Sequence, residues 1–113
     1  MTDREIFEKV RDHLLQQGRK SVNGGERCRY RGAGGMKCAI GCLIPDTNYD
    51  PKMEGCGVTG LLSRWPNCLG FEPNPSQFNL LVELQLTHDH RDVDVWGPRL
   101  DKIAHIFNLK ESS

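Results

Sequence analysis

Residues 75–88, PSQFNLLVELQLTH, set the strongest limit on how this chain can fold. On a helix, Phe78, Leu80, Leu81, Val82, Leu84 and Leu86 leave almost no polar face before Thr87. A helix that is apolar on nearly every side has to lie inside a core. Asn74 supplies an N-cap, Pro75 suits the first helical position, and Gln77 is placed to reach back to the cap. At 113 residues the chain is long enough for one domain and one core, burying roughly two thirds of its surface on folding. The expectation is a single domain over 1–113 with a core helix at about 75–88 and the remaining elements arranged around it.

Further helices follow from the same periodicity. Thr2 and Glu5 form a capping box, and Ile6, Phe7, Val10, Leu14 and Leu15 recur up to Gly18, which predicts a first helix at about 3–17. Trp96, Leu100, Ile103, Ala104 and Phe107 predict an amphipathic C-terminal helix at about 95–108. Short helices are expected at about 38–44, stopped by Pro45, at about 51–54 behind Asp50-Pro51, and at about 57–65 around Val58, Leu61, Leu62 and Trp65. The polar run Thr87–Asp92 reads as the end of the core helix, and Arg19–Glu26, with Gly24-Gly25, reads as a loop.

The stretch Arg27–Ile40 has a different period. With Ala33-Gly34-Gly35 as a three-residue loop, Gly32 opposes Met36, Arg31 opposes Lys37, Tyr30 opposes Cys38 and Cys28 opposes Ile40. That register gathers Cys28, Tyr30, Met36, Cys38 and Ile40 on one face and Arg27, Arg29, Arg31 and Lys37 on the other. The predicted fold class is therefore α+β: a mostly helical single domain with one β-hairpin, at about 27–40, packed on about four or five helices.

Charge narrows the function classes. Formal net charge is zero, so no global argument points to nucleic acid or membrane. The distribution is uneven: Arg19, Lys20, Arg27, Arg29, Arg31 and Lys37 stand against Glu26 alone, whereas Ile40–Asp94 is rich in acids. No run approaches the length of a membrane span, and Met1-Thr2-Asp3 does not begin a secretory signal, so a cytoplasmic location is expected. Five cysteines, an odd number, then read as reduced thiols packed inside.

The leading candidate site is the basic face, Arg27, Arg29, Arg31 and Lys37, joined by Arg19 and Lys20. Arg31 directly opposite Lys37 costs up to about 1 kcal/mol, which a bound anion would remove. Arginine forks suit the carboxylates of an acidic protein, a nucleotide or a nucleic-acid backbone. The competing reading is a solvated edge-strand face. Cys38 or Cys42 with His88, His90 or His105 could make a nucleophile and base, but no flanking residues resemble a nucleophile signature. Cys38-x3-Cys42 with His88-x-His90 has the ligand types for zinc without the tight, repeated cysteine pairs of structural sites. His13 reads as a boundary residue, and Trp65 and Trp96 as packing. No catalytic set, metal or cofactor is assigned.

The string Cys28-Arg-Tyr-Arg-Gly, Gly35-Met-Lys-Cys-Ala-Ile-Gly41, Leu43-Ile44-Pro45-Asp46, Tyr49 and Met53-Glu54-Gly55 resembles a family of small proteins encoded by tailed phages and prophages. The resemblance extends to the leucine-rich helix ending in His88-Asp89, to Trp96 and to the C-terminal helix. It implies an accessory protein acting in the bacterial host cytoplasm, inhibiting host defences or redirecting host machinery by stoichiometric binding. No catalytic residues come with it. The expected partner is a host protein or a small anionic nucleotide, with nucleic acid possible and no membrane. The alternative is a small cysteine- or histidine-dependent hydrolase of a nucleotide-like substrate.

Overall fold

Caps written into the sequence fix where the helices start. The computed structural model describes residues 2–21, 29–90 and 92–109. Within them the α-helices are α1 (Asp3–Gln17), α2 (Val58–Arg64), α3 (Pro75–His90) and α4 (Trp96–Ile106). At the head of α1 the Thr2 hydroxyl accepts from the Glu5 N–H at 3.1 Å, and the Glu5 carboxylate accepts from the Thr2 N–H at 2.9 Å. Gly18 closes that helix in the left-handed region at φ 64°, a conformation that favours glycine. Asn74 and Gln77 make the same reciprocal pair at the head of α3, at 2.8 and 3.0 Å.

Helix α3 packs against α1, α2 and α4. Its Leu80, Leu81 and Leu84 are fully buried with Ile6, Val10 and Leu14 of α1 and with Leu100 and Ile103 of α4. Helix α3 does not become solvated where its sequence turns polar. Gln85, Thr87 and His88 are buried as well, and the helix runs to His90. Between α1 and α2 the chain forms single 3₁₀ turns at Ala33–Gly35, Gly41–Leu43, Asp46–Asn48 and Pro51–Met53, and another, Val93–Val95, leads into α4. Ile40, Leu43, Ile44 and Met53 from this stretch enter the same core.

The α+β class and the β-hairpin are corrected by this architecture. Among the described residues there is no β-strand, only an isolated antiparallel bridge between Arg31 and Lys37. Residues 27 and 28 lie outside the described residues. Two backbone bonds flank that bridge, from the Gly32 N–H to the Met36 carbonyl at 2.9 Å and from the Cys38 N–H to the Tyr30 carbonyl at 3.4 Å, and the pairing stops there because side chains hold the surrounding backbone. The N–H groups of Tyr30 and Arg31 donate to the Glu54 carboxylate. Lys37 donates its N–H to Gln17 Oε1, and its carbonyl accepts from Gln17 Nε2 and His13 Nε2. Beyond Lys37 the chain turns at once, because Gly41 is pressed against the Tyr30 carbonyl; a Cβ on Gly41 would lie 2.0 Å from that oxygen. The protein is a mostly helical single domain. No helix among the described residues is long and apolar enough to cross a membrane.

Candidate functional site

Two carboxylates organise the basic segment. Glu54 sits just after the Pro51–Met53 turn, which Asp50 caps through the Lys52 N–H at 2.8 Å. Its Oε1 accepts from the Tyr30 N–H at 2.9 Å, and its Oε2 from the Arg31 N–H at 3.0 Å and the Tyr49 hydroxyl at 2.6 Å. Arg29 Nε adds an ion pair at 3.7 Å. Only 12% of the Glu54 side chain is exposed. Burial, followed by the hydrogen bond to Glu54, pushes the Tyr49 hydroxyl up to about 12.

Asp46 is the opposite case. Its carboxylate accepts from Arg31 Nη1 at 2.7 Å and lies 3.8 Å from Lys37 Nζ, yet 81% of its side chain is exposed. The hydrogen bond from Arg31, then the charges of Lys37 and Arg31, hold its carboxyl below the usual aspartate range. Arg31 itself is fixed on its inner side. Nη2 donates to the Ile44 carbonyl at 2.7 Å, the guanidinium lies 4.8 Å over the Tyr49 ring, and Nε is buried. The repulsion inherent in facing Arg31 and Lys37 is thus relieved by an anion, and that anion belongs to the chain itself.

Backbone contacts tie together the segments that carry the other predicted cations. Gln17 Nε2 donates both to the Arg19 carbonyl at 2.7 Å and to the Lys37 carbonyl at 2.9 Å. The Arg29 N–H donates to the Ser21 carbonyl at 2.9 Å. Ser21 is held in turn, since its N–H donates to His88 Nε2 at 2.8 Å. That nitrogen is therefore unprotonated, and Nδ1 donates to Asp89 Oδ1 at 2.7 Å. His88 is fully buried and stacks on Trp96 with centroids 5.6 Å apart. Of the predicted basic set, Arg19, Arg29, Arg31 and Lys37 are placed by these contacts, Lys20 lies between Arg19 and Ser21 in the chain, and Arg27 lies outside the described residues.

The reactive groups considered from sequence are differently employed. Cys38 is fully buried and accepts from the Gly41 N–H, and burial drives its thiol far up. Burial raises the Cys42 thiol to about 11. Both shifts oppose thiolate formation. His88 spends both ring nitrogens internally, and His90 has no described side-chain environment. Among the described residues no group of three or more His, Cys, Asp or Glu is placed to hold a metal ion. Trp96 is buried, and Trp65 packs at the core edge under Arg64.

A cleft of about 200 Å³ opens beside Arg29, lined also by Tyr30, Glu54, Cys56, Gln85 and Asp89. Two carboxylates against one guanidinium make it a poor seat for a phosphate. Glu54, Asp46, Gln17 and His88, with Gln85, whose Oε1 accepts from the Ile40 N–H at 3.0 Å, are the residues that sequence reading passed over as organisers. The available signal was the resemblance itself, whose strings contain Asp46, Glu54 and His88 without giving any of them a role. No protein-family model, curated protein or solved structure matches the chain.

Proposed function

We propose that this chain is a phage-type accessory protein that works by one-to-one binding, docking onto an acidic surface of a host protein in the bacterial cytoplasm. The docking face comprises Arg19, Lys20, Arg29, Arg31 and Lys37. The observation that carries the reading is the Gln17 amide, which joins the Arg19 and Lys37 carbonyls and so assembles cations from separate segments on an ordered backbone. Preset cations favour association because little side-chain and loop freedom is lost on docking. An extended acidic surface suits this face better than a small nucleotide, because the neighbouring cleft holds Glu54 and Asp89. Inhibition of a host defence component fits such a binder and follows from the resemblance to phage-encoded proteins. The hydrolase alternative has less support, since the Cys38 and Cys42 thiols are shifted away from the thiolate.

The test is capture from host lysate by the wild type and by an Arg19→Glu, Lys20→Glu, Lys37→Glu variant, with the captured protein identified and the complex weighed intact. A one-to-one complex lost in the variant is expected. Undiminished capture by the variant, or action at a small fraction of one equivalent, overturns the proposal.

A further inference from the structure

The basic segment holds two acids of its own, and their surroundings assign them different roles. Glu54 is largely enclosed and accepts from two backbone N–H groups, so removing it would orphan part-buried donors. Asp46 makes its contacts from the outside. It rides on a single 3₁₀ turn, its carboxylate accepts only from side-chain groups among the contacts described, and its side chain is 81% exposed. Exposed ion pairs are weak because water solvates both partners and ordering two side chains costs entropy. What lies beneath Asp46 has holds of its own: the Arg31 guanidinium donates to the Ile44 carbonyl and lies over the Tyr49 ring, two contacts that do not involve Asp46. Lys37 is anchored through its backbone to Gln17 and His13.

We infer that Arg31 and Lys37 form a preformed carboxylate-binding site in which Asp46 is an internal stand-in, displaced by a glutamate or aspartate side chain of the partner. The inference rests on the binding function proposed above and names its contact point. The incoming carboxylate takes the Arg31 Nη1–H and the Lys37 ammonium, both of which the structure already aims at a carboxylate. Arg31 Nη2 and Nε face inward, which limits the site to a single-oxygen contact with the fork. Asp46 therefore acts as a built-in competitor. It keeps the two facing cations neutralised in the free protein and weakens every exchange by the strength of its own contact.

The experiment measures binding of a hexaglutamate peptide to purified wild type, Asp46→Asn and Asp101→Asn. Asp101 is an exposed acid on α4, so its replacement reproduces the charge change elsewhere. The expected result is affinity about three- to tenfold tighter for Asp46→Asn and little changed for Asp101→Asn. Equal gains in both variants, or no gain in either, overturn the inference. Inorganic phosphate is titrated in parallel, and a gain for phosphate without one for the peptide also overturns it. A wild-type measurement guards against misfolding of the variant: saturating peptide should move the Asp46 side-chain carboxyl ¹³C resonance toward that of a free aspartate. An unmoved resonance at saturation overturns the displacement. Because the probe is a purified peptide, failure here is separable from failure to capture a host protein.

Discussion

Glu54 and Asp46 answer the same run of arginines from positions eight residues apart, and they do so in contrasting ways. Glu54 reaches inside the segment and holds backbone: two consecutive N–H groups, a tyrosine hydroxyl and, more loosely, Arg29. Asp46 reaches across its surface and holds side chains alone. One carboxylate therefore determines the path of the chain, and the other determines the charge that the finished surface presents. An acid beside a basic cluster is not one kind of object. Which atoms donate to it, and how wet it is, decide whether it belongs to the fold or to the exchangeable surface.

The largest effect that would test the contrast comes from Glu54→Ala. Two part-buried N–H groups and the Tyr49 hydroxyl lose their acceptor, and the expected loss is about 2–4 kcal/mol in urea denaturation at neutral pH. A loss near that of an ordinary surface substitution would put Glu54 in the same class as Asp46. The next effect is alkaline. Tyr49 and Cys42 have folded values raised to about 12 and about 11, so both favour the protonated state of the native protein. Their contribution is complete below their unfolded values, 10.0 and 9.0, and is lost as pH climbs through the folded ones. Thermal midpoints should decline from pH 9 toward pH 12, with the tyrosinate absorbance of Tyr49 appearing late. The smallest effect lies on the acid side. Asp46 has a depressed folded value, so its contact with Arg31 is present at neutral pH and disappears as pH falls through that value. Carboxyl ¹³C titration should place Asp46 below ordinary aspartates, and Lys37→Ala should move it part of the way back.

Legibility of the fold in the sequence followed the range of the interaction. Helix starts depend on partners three residues away, and Thr2 with Glu5 and Asn74 with Gln77 could be read directly. The β-hairpin failed for the opposite reason. Its register was drawn from alternation within residues 27–40, but the pairing ends after two backbone bonds, and the Tyr30 N–H that would extend it goes to Glu54, which no local pattern couples to it. His88, read from sequence as a candidate base or zinc ligand, is a similar case. A polar run at a helix end looks solvated in sequence, and only the fold brings the Ser21 N–H and the Trp96 ring to that residue. As for the candidate site, the identities of the cations were legible, but the anions already facing them were not, because charge complementarity at a distance leaves no spacing to detect.

The carboxylate of Glu54 also determines what neighbouring molecules encounter. An extended segment with consecutive free N–H groups is an open invitation for another chain to add itself by backbone pairing, the first step of sheet-like self-association. At Tyr30 and Arg31 both donors are already taken from within. The arginine-rich segment can therefore offer side chains to a partner without lending it a template for a strand, which leaves recognition on this face to charge and shape.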